Sequence, residues 1–151
     1  MRVVIAAIGK ARGGAERDLF DEYVKRLPWK VELKEFEFRS ERDSKKRIAK
    51  ESEALLNAVP TGTALIALDE RGKAETSAAF AARLGRFRDS GRALAFLIGG
   101  ADGHSEDVRA RADHLLAFGP MTWPHLLVRA MLAEQLFRAH SIMSGHPYHR
   151  A

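Results

Sequence analysis

The sequence predicts an α/β fold, a mostly parallel sheet of five or six strands with helices on both faces, and three observations carry that prediction. Segments built on consecutive apolar residues recur at 2–9 (apolar from Val3 to Ile8), 64–68, 93–98 and 115–118, as in strands buried on both faces. Segments of helical periodicity separate them. Residues 31–38 alone mix apolar and charged side chains, through Val31, Leu33, Phe36 and Phe38, the pattern of a half-exposed strand near an edge. Strand and helix in regular alternation indicate a parallel sheet covered by its own crossovers.

Taken in order, residues 2–9 form the first buried strand, and Gly13-Gly14 turns the chain into a helix over 15–26 that Leu27-Pro28 ends. After the edge strand, residues 39–50 are dense in charge, and Asp43 or Ser44 starts a helix reaching about Asn57. The run 40–50 reads either as a solvated helix face or as a mobile loop over a site. Val59-Pro60-Thr61-Gly62 is a turn, 64–68 a strand, and Asp69-Glu70-Arg71-Gly72-Lys73 the loop after it. Thr76 or Ser77 caps a helix to Asp89, closed by Ser90-Gly91. The strand at 93–98 ends in Gly99-Gly100-Ala101-Asp102-Gly103, and a short helix runs from Ser105 to about Ala112. The last strand, 115–118, ends in Gly119-Pro120-Met121-Thr122.

The final helix lacks Gly and Pro from Leu126 to Met143, with Pro124 suited to its first turn, Thr122 a cap before it and Gly145 a left-handed stop after it. Its apolar residues cover more than one stripe, which calls for cover on more than one side. A second copy of the chain is the expected cover.

Composition sets the bounds. The 151 residues are read as one domain, 1–151, long enough to bury about two-thirds of the unfolded surface. There is no cysteine, so thiolate chemistry, disulfides and Cys-based zinc sites are excluded. No apolar run approaches the roughly 20 residues of a membrane helix. The opening strand lacks a signal peptide's cleavage pattern, and the cytoplasm is the expected compartment. A net charge of +5 and a pI near 9.8 favour a polyanionic partner without identifying one.

Glycine position carries the first functional signal. Three strands in succession run into loops with Gly at or just past their carboxyl ends, where open α/β sheets bind ligands. Any one of these is explained by a tight turn; together they suit a flat heterocycle read by backbone N–H and C=O groups. The ligand carries no phosphate, because G-x-G-x-x-G does not follow the first strand, no G-x-x-x-x-G-K-[ST] occurs, and Gly99-Gly100-Ala101-Asp102-Gly103 has no Lys or Arg.

Four segments make a resemblance specific: L-D-E-R-G-K at 68–73, F-L-I-G-G-A-D-G at 96–103, M-T-W-P-H at 121–125 and G-H-P-Y-H-R at 145–150. In order and spacing they resemble the RlmH family, SPOUT-class methyltransferases that modify N3 of a pseudouridine in 23S rRNA. The resemblance spans essentially the whole chain. It implies a homodimer, a C-terminal trefoil knot and S-adenosylmethionine held in three loops, with helix 69 of 23S rRNA in the assembled ribosome as target. Its cofactor positions fall on Leu68, Gly100, Gly119, Pro120, Met121, Thr122, Trp123 and Pro124. Trp123 replaces a smaller aliphatic residue, and Gly119-Pro120 small polar ones. His125, Tyr148 and Arg150 match the residues at the substrate.

In that role a neutral His125, or a water it holds, can accept the N3 proton, Arg150 pairs with phosphate or the anionic base, and Tyr148 stacks on or hydrogen-bonds the nucleotide. The bland reading of His125 is a structural residue bonding backbone; that of the tail is a loose terminus. If the tail reaches a partner subunit's glycine loops, each pocket uses both chains. His146-x-x-His149 lacks a carboxylate or Cys nearby, and no metal is expected. Asp69 and Asp102 read as turn caps, with Glu70 or Asp102 as alternative contacts to the cofactor. Ser105 reads as a helix cap, since no G-x-S-x-G elbow surrounds it. Arg129 and the pair Glu134–Arg138 read as structural or interfacial. Two other functions fit less of the chain: a non-catalytic RNA- or ribosome-binding module, and a small-molecule hydrolase using Ser105.

Overall fold

A computed structural model describes residues 1–150. The chain runs β1 (Arg2–Ile8), α1 (Ala15–Arg26), β2 (Lys30–Phe36), α2 (Ser44–Asn57), β3 (Ala64–Ala74), α3 (Ser77–Asp89), β4 (Leu94–Ile98), α4 (Glu106–Arg111), β5 (His114–Ala117) and α5 (His125–Ser144). The five strands form one sheet in the order β2-β1-β4-β3-β5, and every pairing is parallel. The half-exposed strand is indeed at an edge, though it ends at Phe36 rather than Phe38.

Two apolar layers hold the sheet, one on each face. Phe20, Phe80, Leu84, Leu132 and Leu136 from α1, α3 and α5 pack on Ile5, Ile66 and Phe96. On the opposite face Leu55 and Leu56 of α2 and Val108 of α4 meet Leu65 and Leu97. Each fully buried Leu or Phe contributes about 1.5–3 kcal/mol. Side-chain caps start the helices where the sequence signals them: Asp43 accepts from Lys46 N–H at 3.0 Å, Thr76 from Ala79 at 3.1 Å and Ser105 from Val108 at 3.3 Å.

Two sequence expectations change. Residues 69–73 are not a simple loop. β3 pairs through Leu68 with Leu116 of β5, loops out, and rejoins the same Leu116 through Lys73 before pairing Ala74 with Ala117. Gly72 makes that return possible: a Cβ there would lie 2.7 Å from Leu115 C and Leu116 N, closer than any side chain tolerates. Thr122 does not cap α5. Pro124 occupies the N-cap, its carbonyl accepts from Val128 N–H at 3.0 Å, and no side chain caps the helix. Helix α5 is covered in large part by its own chain, with α1 and α3 against its flanks and the sheet beneath, while Leu126, Leu127, Met131 and Met143 stay half-buried; a single chain leaves the expected cover by a second copy untested. Gly145 adopts the expected left-handed stop. No helix among the described residues is long and apolar enough to cross a membrane.

Candidate active site at the carboxyl rim of the sheet

Because all strands are parallel, their carboxyl ends share one rim, and the loops after β4 and β5 face the bulge of β3 across a cavity of about 400 Å³. Leu68 and Ile98, which end the β3–β4 pairing, and Leu116, at the bulge of β3 on β5, are its apolar lining. Gly100 and Gly103 bridge to each other and fold the β4 loop back on itself. Trp123 donates Nε1–H to the carbonyl of Phe118 at 3.0 Å, which closes the loop leading to α5.

Of the eight positions expected at the cofactor, seven line this cavity: Leu68, Gly100, Gly119, Met121, Thr122, Trp123 and Pro124. Pro120 stands in the same turn without lining it. The cavity also takes in Asp69, Glu70 and Asp102, and its two arginines are already ion-paired. Arg109 pairs with Asp69 at 2.8 Å and Arg71 with Glu106 at 3.0 Å. Apolar lining, glycine backbone and carboxylates suit a cationic nucleoside without phosphate, so the residues present fit S-adenosylmethionine.

His125 opens α5 on the cavity wall. Its Nε2 lies 3.2 Å from where a Cβ on Gly9 would stand, and Gly9 itself has φ +94°; only glycine lets the imidazole rest against β1's end. Burial, and then the charge of Arg129 one turn along, hold the His125 pKa below its ordinary value. The ring is therefore neutral in neutral solution. His125 as a whole is exposed; the partial shielding of its ring and the Arg129 charge act in the same direction as a helix N-terminus.

Arg129 takes the structural one of the two roles expected of it. It is 2% exposed and donates to the carbonyls of Ile8 at 2.9 Å and Gly9 at 2.6 Å and to the Glu35 carboxylate at 2.6 Å. Glu35 also accepts from Ala11 N–H at 2.7 Å. Burial alone would raise the Glu35 pKa; the bonds from Ala11 and Arg129 outweigh it and hold the carboxyl below its usual range.

Asp69 accepts from Arg71 N–H at 2.8 Å, as a turn cap does. Asp102 does not cap its turn with a side chain but pairs with Arg47 of α2 at 2.5 Å. That contact, with the helix beginning at Ser44, resolves most of residues 40–50 as helix. Beneath the same loop the buried Glu51 carboxyl lies 3.0 Å from where a Cβ on Gly100 would stand.

The tail lies apart from the cavity of its own chain. The Tyr148 ring packs on Phe137 with centroids 4.7 Å apart and beneath the Arg138 guanidinium at 4.8 Å. Its hydroxyl donates to Glu134 at 3.0 Å and lies 3.4 Å from that of Tyr23, and burial with these bonds raises its pKa. Arg150 is exposed. One chain thus brings His125 to the cavity but neither Tyr148 nor Arg150.

Four further residues support the rim without any expectation from the sequence: His104, Arg109, Arg47 and Glu51. His104 is 5% exposed, 3.3 Å from the Leu97 carbonyl, and kept neutral chiefly by burial. No local signal marks these residues, since the bonds of His104, Arg109 and Arg47 reach 7 to 55 positions away.

A second cavity, of about 540 Å³, lies behind Phe118 and Gly119. It is lined by Leu19, Tyr23, Leu127 and Met131, and Leu19 is 44% exposed.

Known proteins match the chain along its length. The family model described as "Predicted SPOUT methyltransferase" matches residues 1–149. Ribosomal RNA large subunit methyltransferase H of Rhodospirillum centenum is 59% identical, with both chains covered in full. The protein of the same name from Paramagnetospirillum magneticum is 56% identical over 99% of each chain, and that from Rhodospirillum rubrum 50% over all of each. A solved probable methylase family protein from Haemophilus influenzae shares the fold at TM-score 0.60 and 11% identity, covering 99% of this chain and 70% of that one.

Proposed function

This chain belongs to the RlmH family of SPOUT methyltransferases and is a methyltransferase of large-subunit ribosomal RNA, and on that premise we propose that it methylates N3 of a pseudouridine in helix 69 of 23S rRNA, on the assembled ribosome in the cytoplasm. The observation that carries the proposal is the sharing of one wall: neutral His125 stands on the same cavity as the glycine loops.

S-Adenosylmethionine supplies an electrophilic methyl group when bound. Leu68, Gly100 and the 119–124 turn would hold it through backbone groups, and Glu70, the cavity carboxylate with no ion pair among the described residues, would oppose its positive charge. His125 accepts the N3 proton directly or through a water, which a neutral imidazole does and an imidazolium cannot. Arg150 stabilises the anionic base and Tyr148 fixes the tail, both supplied by a second copy of the chain. What supports that composite site is the separation of Tyr148 and Arg150 from their own cavity, together with the apolar groove at Leu19, Leu127 and Met131. The same reading takes the carboxyl-terminal part as the family's trefoil knot.

The experiment is incubation with methyl-labelled S-adenosylmethionine and 70S ribosomes, then nucleoside analysis of the 23S rRNA. Label in N3-methylpseudouridine is the expected result. RNA binding without transfer would leave a non-catalytic ribosome-binding module instead.

A further inference from the structure

The rim has a second half that the cavity does not use. In the order β2-β1-β4-β3-β5, the loops after β4, β3 and β5 enclose the cavity. The segments following β1 and β2, residues 9–14 and 37–50, continue the same rim beyond β4. They hold eight Lys and Arg against three Asp and Glu, an excess of five that equals the net charge of the whole chain. The rest of the protein is electrically balanced.

We infer that this cationic half-rim is the docking surface for the phosphate backbone flanking the target nucleotide. The inference rests on the RNA reading above and adds where the RNA lies. Three observations carry it.

The cations are free to exchange partners. Lys10, Arg42, Lys45 and Lys46 are exposed and have no ion pair among the described residues. Arg12 and Arg39 share only Glu37, at 3.3 and 2.7 Å, with side chains 75% and 80% exposed. Such pairs are worth little in water and yield readily to phosphate.

Lys45 and Lys46 also stand where a helix disfavours them. The first turn of α2 contains no acidic residue and carries Lys45, Lys46 and Arg47 at the positive end of the helix dipole. Asp43 caps that end through the Lys46 N–H and Arg47 pairs with Asp102, which leaves the Lys45 and Lys46 side chains to meet an arriving anion.

The half-rim is also held in register with the chemistry. Arg129 binds the carbonyls of Ile8 and Gly9 and the carboxylate of Glu35, and Glu35 binds Ala11 N–H. The loop carrying Lys10 and Arg12 is thereby fixed to the first turns of α5, beside His125. A base lying at the junction of Gly9 and His125 faces the cavity on one side while its neighbouring phosphates lie over the cations on the other.

The test replaces Arg39, Arg42, Lys45 and Lys46 with Ala, and in a control protein Arg2, Lys25, Lys30 and Arg86, exposed residues toward the opposite rim. For both, affinity for 70S ribosomes is measured against salt, methyl transfer as KM and kcat, and S-adenosylmethionine binding by calorimetry. The rim variant is expected to flatten the plot of log affinity against log salt by roughly 0.7–0.9 for each phosphate no longer neutralised. It should raise KM at least about tenfold with kcat nearly unchanged, and bind the donor as before; the control should match wild type. Unchanged slope and KM in an active rim variant, or equal losses in both proteins, would overturn the inference alone. Wild-type protein that takes up donor yet neither binds nor methylates ribosomes would remove the RNA reading and this inference with it.

Discussion

His125 has few chemical options once its surroundings are fixed. Burial and the Arg129 charge depress its pKa, so kcat against pH should show an acid limb centred below 6.5, with activity lost as the ring gains its proton. His125→Gln should lower kcat by about 10²–10⁴-fold, the range for a lost general base; an unchanged pH profile in the variant would count against that role. Arg129 is the costlier position for stability. Arg129→Met leaves Glu35 with Arg17 as its remaining cation and strips two carbonyls of their donor, and should cost about 1–3 kcal/mol in urea unfolding. The identity of His125 was legible in M-T-W-P-H, but its environment was not. Gly9, Ile8 and Glu35 reach Arg129 across more than 90 residues, a distance over which helical periodicity carries no information.

Element starts and stops were legible wherever local chemistry sets them. Asp43, Thr76 and Ser105 cap their helices and Gly145 ends the last, because a cap bonds to N–H groups two or three residues on. Ser105→Ala should therefore cost about 1 kcal/mol of stability and leave methyl transfer intact; loss of turnover in a folded variant would reopen the hydrolase reading. The continuation of β3 to Ala74 was not legible. Its polar residues 69–73 read as a loop, and only pairing with β5, more than 40 residues later, makes them part of a strand. Gly72→Ala presses a methyl group into the backbone of β5 and should destabilise by about 1–3 kcal/mol, with the loss visible in donor binding because Leu68 and Leu116 share the cavity lining.

For the whole molecule, two properties emerge that no single element shows. The histidines His104, His114, His125 and His140 all have depressed pKa values, each chiefly through burial. A depressed group gives stability that is full above its unfolded pKa and lost as pH falls toward the folded one. Unfolding free energy should thus decline from about pH 6.5 downward, before the carboxylates titrate; a flat profile from pH 7.5 to 5.5 would contradict it. The tail, legible as a motif, was not legible as a placement, since Tyr148 is held by Phe137, Arg138 and Glu134 on its own α5. If each cavity borrows the partner's last residues, mixing a His125→Gln protein with one lacking residues 146–151 should restore activity in the heterodimers that pair an intact cavity with an intact tail. No recovery after verified subunit exchange would place the tail in its own chain's site.

All of this depends on the glycine-bordered cavity accepting the methyl donor. The most direct measurement is calorimetric titration of the intact protein with S-adenosylmethionine. Saturable heat at one donor per chain, abolished when Gly100 is replaced by Val in a protein that still unfolds cooperatively, is the expected result. No saturable heat, or undiminished binding by the folded Gly100→Val variant, would contradict the account.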